Sequence, residues 1–188
     1  RGANAHLGET DLPFELLEGM DRLHISGYAL FEAKPRAAVM ALAARAKARD
    51  IPVSIDPAST GFLAAAGPGN FPGWAQDAEI IFPNADEAQL LTGQTDPDRQ
   101  IAALLDIFPR VVLKRGGEGA IYAARGMDTI ALPAEAVKIV DTTGAGDAFL
   151  AGFLAADLRR ETPAGAMAAA IAAGARAVSR LGAQPLAL

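Results

Sequence analysis

The segment best suited to chemistry is the run DTTGAGD at residues 141–147, which leads directly into a long apolar stretch. Small residues just before an apolar helix predict a helix N-terminus that a ligand can approach closely. The unpaired N–H groups and the positive dipole end of such a helix attract anions such as phosphate. Asp147 is the unusual residue here, because a carboxylate beside a bound phosphate repels it unless the carboxylate has a chemical task.

Two interpretations of Asp147 are open from the residues alone. In the first, a carboxylate in the first turn only stabilises the helix through its dipole. In the second, Asp147 accepts the proton of an attacking hydroxyl while the backbone of Gly144, Ala145 and Gly146 steadies charge on a transferred phosphoryl group. The second interpretation predicts a phosphotransferase with Asp147 as the base and the Gly144–Gly146 turn as the anion hole.

The elements that must position this segment alternate between strand-like and helical patterns from residue 21 to residue 115. That alternation predicts an α/β fold with a mostly parallel sheet flanked by helices on both faces, in three layers. We expect one domain over residues 1–188. Strands are predicted at 21–27, 51–56, 78–82 and 110–114, followed by a shorter antiparallel pair in GAIYAA and around TIALP. Helices are predicted near Phe62, at 35–49, 84–91, 97–107 and 163–179, and from the Gly144–Gly146 turn onward.

Polar and glycine residues cluster where the predicted strands end. Gly27 follows the first strand, Asp56 ends the second, Asn84 follows the third, and the run KRGG from Lys114 follows the fourth. Ligands of an open parallel sheet bind beyond these carboxyl ends. Because loops are polar anyway, each position alone favours a structural explanation, and only the combination predicts a ligand site. Asn84, with Glu87 three residues later, also fits a helix N-cap.

Composition excludes several classes of function. The chain has 188 residues, 51% of them hydrophobic, so it can bury a substantial core. Its 22 acidic and 17 basic residues give a net charge of −5, which argues against sequence-independent binding of nucleic acid. Because there is no cysteine, disulfides, thiolate catalysis and Cys-based zinc sites are excluded. No apolar run is long enough for a transmembrane helix, so we predict no membrane association and a cytoplasmic location.

Other phosphate and catalytic motifs are absent from the sequence. It contains neither G-x-x-x-x-G-K-[ST] nor G-x-G-x-x-G, and no G-x-S-x-G elbow. His6 and His24 have no ligand-like spacing, and His24 lies within an apolar strand pattern that favours a structural role. The DTTGAGD run therefore remains the main candidate for phosphate chemistry.

Five segments in order along the chain resemble the ribokinase-like carbohydrate kinases of the PfkB family. They are LHISGYAL, FPNADEAQLLTG, VVLKRGGEGAIY, DTTGAGDAF and SRLGAQPL. DTTGAGDAF is the specific one, since it resembles the second signature of that family, whereas the others are individually weak. The resemblance implies a ribokinase-like fold and transfer of the ATP γ-phosphoryl group to a hydroxyl of a sugar or sugar-like substrate.

The resemblance also implies roles for individual residues. Asp147 would be the catalytic base, and Gly144, Ala145 and Gly146 the anion hole. Glu87, acting mainly through water, and Asn84 would face the phosphates and Mg²⁺. The residues along the nucleotide would be Lys114, Gly116, Glu118 and Gly119. Asp141 and Thr143 match positions that hold a monovalent cation in many members, so K⁺ is a further candidate cofactor beside ATP and Mg²⁺.

The sequence also departs from the family pattern. Members are longer, so we expect an amino-terminal part carrying the first strands, the lid and a sugar-binding segment to be missing. The loop DPAS at 56–59 lacks the Asn and Arg of the Asp-Pro-Asn-x-Arg variant. A nucleoside kinase of the same family and a non-catalytic nucleotide-binding module stay open as alternatives, as does a homodimer. Retention of Asp147 argues against the binding module, which gains nothing from a carboxylate beside phosphate.

Overall fold

A computed structural model describes residues 3–183 of the chain. The strands are β1 (Leu23–Ser26), β2 (Val53–Asp56), β3 (Ile80–Ile81), β4 (Arg110–Lys114), β5 (Ala120–Ala124) and β6 (Ile130–Leu132). The α-helices are α1 (Ala33–Lys47), α2 (Thr60–Ala66), α3 (Phe71–Trp74), α4 (Ala85–Thr92), α5 (Pro97–Ile107), α6 (Ala145–Leu158) and α7 (Pro163–Val178). Every strand and helix predicted from the sequence is present, and the α/β fold with a mostly parallel sheet is confirmed.

The chain forms two compact units. The first runs to Leu113 and includes Ala124–Gly126, and the second consists of Lys114–Ala123 and the chain from Met127 onward. In the first unit, β1, β2, β3 and β4 pair in parallel in chain order. In the second, β5 pairs with β6 in antiparallel register, as predicted.

The carboxyl end of β1 packs tightly against the loop after β2. A methyl group built on Gly27 would lie 2.5 Å from the carbonyl oxygen of Pro57 and 2.7 Å from that of Asp56. Only glycine fits such a close approach of two backbones. The Asp56 carboxylate is itself used in this loop, where Oδ1 accepts a hydrogen bond of 2.7 Å from the N–H of Ala58.

Several element boundaries differ from the prediction by one or two residues, and those of α1 and β3 have a clear physical reason. Helix α1 begins at Ala33 rather than at Pro35, which still falls within the first turn, where its missing N–H costs no helical bond. Strand β3 is limited to Ile80–Ile81, although hydrogen bonds from Glu79 to Val53 and from Phe82 to Ile55 extend its pairing with β2. Strand β4 matches the prediction, and the side chains of Val111, Val112 and Leu113 are fully buried.

In the second unit, α6 and α7 pack with their backbones almost in contact. A methyl group built on Gly152 of α6 would lie 2.7 Å from the carbonyl oxygen of Ala169 and 2.9 Å from Cβ of Ala173. Phe153 of α6 is fully buried, and its ring stacks on Tyr122 of β5 with centroids 6.2 Å apart. These contacts hold α6, and thus its N-terminal turn, on a close-packed base.

Candidate functional site

The turn at residues 144–146 forms the N-terminus of α6, as the sequence predicts. Gly144 is the N-cap, and its carbonyl accepts a hydrogen bond of 2.9 Å from the N–H of Ala148. Within residues 3–183, the N–H groups of Gly146 and Asp147 meet no hydrogen-bond acceptor. Two free donors at the positive end of a 14-residue helix are able to bind an anion.

Position 144 requires glycine for two reasons: its backbone conformation and the lack of room for a side chain. It has φ +75°, in the left-handed region that favours glycine. A methyl group built on it would lie 2.9 Å from Cβ of Ala183, in the segment that follows α7. The surrounding chain therefore leaves no room for a side chain at position 144.

Asp147 is the third residue of α6, and its side chain is exposed. Its carboxylate makes no hydrogen bond or ion pair with any residue in the described part of the chain. It is thus accessible to a substrate hydroxyl and is not occupied in a structural ion pair. This geometry is compatible with a base, and it equally leaves the favourable interaction with the helix dipole in place.

Lys114, the last residue of β4, lies close to this turn. Its Nζ is 3.8 Å from the position that a methyl group on Gly146 would occupy. The neighbouring cation, Arg115, forms an ion pair with Glu118 instead. The structure thus brings one of the predicted nucleotide residues, Lys114, to the turn that contains Asp147.

Asp141 is held by hydrogen bonds from two segments. Its Oδ1 accepts from the N–H of Thr143 at 2.9 Å and from the Thr143 hydroxyl at 2.7 Å. Its Oδ2 accepts from the N–H of Gly182 at 2.9 Å. The backbone of the same stretch is tied to α7, because the carbonyl of Val178 accepts from the N–H groups of Val140 and Asp141. The carboxylate therefore links the turn to the chain beyond α7.

Gly182 and Ala183 are residues at this site that sequence reasoning missed. The tail SRLGAQPL attracted notice only as a resemblance, with no role for any of its residues. Their contacts join positions about 40 residues apart along the chain (41 for Asp141 and Gly182). No local pattern encodes a contact over that distance.

The other predicted nucleotide residues of the second unit occupy the turn between β4 and β5. Gly116 and Glu118 are exposed in a short 3₁₀ turn. Gly119 is buried with φ +91°, and a methyl group built on it would overlap the carbonyl oxygen of Leu132. Its lack of a side chain is thus needed for packing of the β5–β6 pair, and nucleotide contact by these three residues remains a prediction.

Asn84 and Glu87 belong to the first unit, where they cap α4. Oδ1 of Asn84 accepts from the N–H of Glu87 at 2.8 Å, and Oε2 of Glu87 accepts from the N–H of Asn84 at the same distance. The predicted N-cap is confirmed, and the two reciprocal hydrogen bonds make it a capping box. Glu87 is 2% exposed. One carboxylate oxygen is committed to the cap, and action of Glu87 on a metal ion remains a prediction.

Two features are absent from residues 3–183. No three His, Cys, Asp or Glu side chains come together as ligands for a metal ion. In the same part of the chain, none of the helices is both long enough and apolar enough to cross a membrane.

The hydrogen bonds at Asp141 predict a pH dependence of stability. The donors of Thr143, backbone first and then hydroxyl, and the N–H of Gly182 hold the pKa of the Asp141 carboxyl below its usual value. A lowered pKa stabilises the fold above the unfolded-state pKa, about 3.9, and this contribution is lost as the pH falls through the folded-state pKa.

We therefore expect Asp141→Asn to lower the free energy of unfolding at pH 7, with the deficit relative to the unmodified chain shrinking below about pH 4. Urea unfolding at a series of pH values measures this difference. The exposed Asp128→Asn is the control. A deficit that stays constant down to pH 2–3 would contradict the assignment.

Comparison with known proteins gives the family. The family model described as pfkB family carbohydrate kinase matches residues 1–187. An ATP-dependent 6-phosphofructokinase of Thermoanaerobacterium thermosaccharolyticum is 29% identical over 156 residues, 81% of this chain and 48% of that protein. A bifunctional protein HldE of Caulobacter sp. K31 is 32% identical over 187 residues, 95% of this chain and 34% of that protein. The chain thus spans between a third and a half of the length of these relatives.

Solved structures share the fold. Adenosine kinase from Sinorhizobium meliloti matches with a TM-score of 0.90 and 22% identity, over 97% of this chain and 56% of that one. A putative ribokinase II from Escherichia coli, in complex with ATP and Mg²⁺, matches with a TM-score of 0.86 and 28% identity, over 95% of this chain and 58% of that one. The ribokinase-like fold expected from the sequence is confirmed, and the chain belongs to the pfkB family of carbohydrate kinases.

Proposed function

We propose that this chain carries the nucleotide and phosphoryl-transfer site of an ATP-dependent kinase that phosphorylates a hydroxyl of a sugar or sugar-like substrate. The observation that carries the proposal is the N-terminus of α6. There, two N–H groups without acceptors in the described chain and the accessible Asp147 carboxylate lie in the first turn. The Lys114 ammonium lies beside Gly146 of the same turn.

The proposed chemistry assigns each group one task. The Asp147 carboxylate accepts the proton of the substrate hydroxyl, whose oxygen forms a bond to the γ-phosphorus of ATP. The bond between that phosphorus and the β–γ bridging oxygen breaks, and ADP leaves. The backbone N–H groups of Gly146 and Asp147 stabilise the charge on the phosphoryl oxygens during transfer.

Lys114 adds a positive charge to this anion site. The side chain is half-buried and reaches the turn from the end of β4. An ammonium beside two N–H donors offsets the repulsion that Asp147 exerts on the phosphates. We therefore assign Lys114 to the phosphates of the nucleotide rather than to its base.

The residues fit a magnesium ion bound mainly to the nucleotide. The ion would be held by phosphate oxygens and water, which are the ligands that Mg²⁺ prefers at nucleotide sites. A role for Glu87 through a water molecule stays a prediction from the resemblance. When bound, Mg²⁺ neutralises phosphate charge. A monovalent cation at Asp141 and Thr143 remains a prediction.

A phosphorylation screen tests the function. The polypeptide encoded by the complete gene is assayed for ADP release from ATP with a panel of sugars, phosphorylated sugars and nucleosides. We expect turnover with a sugar or sugar-like alcohol. Turnover with nucleosides alone would favour the nucleoside kinase. ATP binding without turnover on any alcohol would favour the non-catalytic nucleotide-binding module.

Lys114→Met is expected to weaken ATP binding roughly tenfold, because a charge-assisted contact to phosphate is lost while most of the side-chain length remains. Titration calorimetry with a non-hydrolysable ATP analogue measures the affinity, and adenosine serves as the ligand without phosphates. Loss of affinity for the analogue but not for adenosine supports the assignment. Equal losses for both ligands, or none, would place Lys114 elsewhere on the nucleotide or outside the site.

A further inference from the structure

We propose that Gln100 is a positioning residue that holds the first turn of α4, and with it Asn84 and Glu87, in a fixed place. This turn follows the carboxyl end of β3, and ligands of an open parallel sheet bind at that edge. The inference rests on the proposed function and on the role that the resemblance implies for Asn84 and Glu87 beside the phosphates and Mg²⁺. Gln100 itself belongs to α5 and acts through α4, without touching a ligand.

Gln100 is a buried polar residue on an apolar helix face. The other buried side chains of α5 are Ile101 and Leu104, and Gln100 is itself 2% exposed. Polar side chains are seldom buried so completely. Within residues 3–183, the buried polar side chains are Ser54, Glu87 and Gln100. The last two belong to α4 and α5, which pack together, so this helix pair holds an unusual share of buried polarity.

The amide of Gln100 joins the start of α4 to the loop that follows this helix. Its Nε2 donates to the carbonyl oxygen of Ala85 at 3.1 Å and to that of Gln94 at 2.9 Å. Ala85 is the first residue of α4, directly after the N-cap Asn84. Because two carbonyl oxygens face the amide, only its NH₂ end can point toward them, and the orientation of the side chain is fixed.

The loop after α4 is itself tied to that helix. The N–H of Gln94 donates to the hydroxyl of Thr92 at 3.1 Å, and this hydroxyl donates to the carbonyl of Ala88 at 2.7 Å. The chain reverses direction at Gly93, the C-cap of α4, which has φ +70°. Gln100 of α5 therefore holds α4 at two points, its first residue and the loop beyond its last.

Stability alone does not explain an amide at position 100. Oε1 of Gln100 is buried and accepts no hydrogen bond from any residue between 3 and 183. An unpaired buried carbonyl oxygen costs free energy, which offsets part of what the two bonds from Nε2 contribute. A methionine would fill much the same space without that cost. What the amide adds is the fixed position of the first turn of α4.

The turn that Gln100 holds carries Asn84 and Glu87 as one unit. Each of these residues accepts a hydrogen bond of 2.8 Å from the N–H of the other, so they move together with Ala85. Residues that orient the groups around a metal ion affect function without touching the ion, and their loss typically costs about tenfold or more in metal affinity or activity. We therefore expect Gln100 to influence the Mg²⁺ requirement of the reaction and to leave the KM for the acceptor alcohol unchanged.

Gln100→Met removes both donors and nearly preserves the length of the side chain. In the polypeptide encoded by the complete gene, we expect the free Mg²⁺ concentration at half-maximal turnover to rise about tenfold. Without nucleotide, amide hydrogen exchange at residues 84–88 should accelerate, while exchange in β4 stays as in the unmodified chain. Gln89→Met, the same substitution at an exposed position of α4, is the matched control and should change neither measurement.

Faster exchange confined to residues 84–88, together with a higher Mg²⁺ requirement, supports the inference. An unchanged Mg²⁺ requirement overturns it, because the amide then serves packing alone, and so does normal exchange at 84–88, because the turn has not been loosened. Faster exchange that extends through β4 also overturns it, since the whole unit is then destabilised.

Circular dichroism checks that Gln100→Met folds, and Gln100→Leu takes its place if it does not. If neither variant folds, Gln100 is needed for folding and the inference is overturned. If no alcohol is phosphorylated in the screen, the proposed function fails. The exchange measurement needs neither nucleotide nor acceptor, and it still decides whether Gln100 holds the first turn of α4.

Discussion

Replacing Asp147 with Asn is expected to lower turnover about a thousandfold, the scale for loss of a general base. Asn has nearly the same shape and keeps the residue in the first turn of α6, but it cannot accept the substrate proton. The backbone N–H groups of the anion hole and the Lys114 ammonium are untouched. ATP affinity should therefore be preserved or slightly improved, because a negative charge beside the phosphates is removed.

The measurement combines steady-state kinetics with calorimetric titration of a non-hydrolysable ATP analogue. Asp128→Asn again controls for loss of one exposed carboxylate, and it should retain turnover. Asn at this helix position gives up an interaction with the dipole of about 0.3–1 kcal/mol, so urea unfolding shows whether stability contributes. Near-normal turnover in Asp147→Asn would refute Asp147 as the base and leave it a helix-stabilising carboxylate.

Gly144→Val is expected to abolish most phosphate binding, with kcat/KM for ATP falling about a hundredfold or more, in line with the loss of an anion-hole donor. A β-branched residue at φ +75° is strained by roughly 1–3 kcal/mol. Its Cβ would also meet Ala183 at 2.9 Å, so the turn must shift. The branched side chain further crowds an anion approaching the N–H groups.

Gly126→Val is the matched control for strain. Gly126 has the same φ of +75°, but a methyl group built there meets no atom within 4 Å. The decrease in the free energy of unfolding of Gly126→Val measures the cost of the strained backbone conformation alone. The affinity of this variant for ATP should equal that of the unmodified chain. The additional decrease in the free energy of unfolding of Gly144→Val then measures the effect of the contact with Ala183. If both variants bind the ATP analogue as tightly as the unmodified chain, phosphate does not approach the turn.

Local signals explain why much of the fold was predictable. The Asn84–Glu87 capping box, the apolar run of β4 and the glycine turn before α6 each depend on residues a few positions apart. Their geometry follows from caps, burial and helix ends, whatever the rest of the chain does. The parallel arrangement of β1 to β4 follows in turn from the alternation of strands and helices.

Contacts between distant segments could not be predicted in the same way. Nothing near Asp141 indicates that its carboxylate meets the N–H of Gly182, and nothing near Gly119 indicates that it lies against the carbonyl of Leu132. The position of Lys114 beside Gly146 likewise depends on how two segments far apart along the chain come together within the second unit. Such contacts arise from packing, which a single sequence does not encode in any local pattern.

The junction of α6 and α7 at Gly152 has a mechanical consequence. The carbonyl of Ala169 lies where a side chain of residue 152 would begin. The two backbones are therefore in direct contact, and no flexible side chain lies between them that could adjust if one helix slid along the other. The two helices should move together as one rigid body. Any conformational change of the second unit should therefore occur elsewhere and leave the spacing between the two helix axes constant.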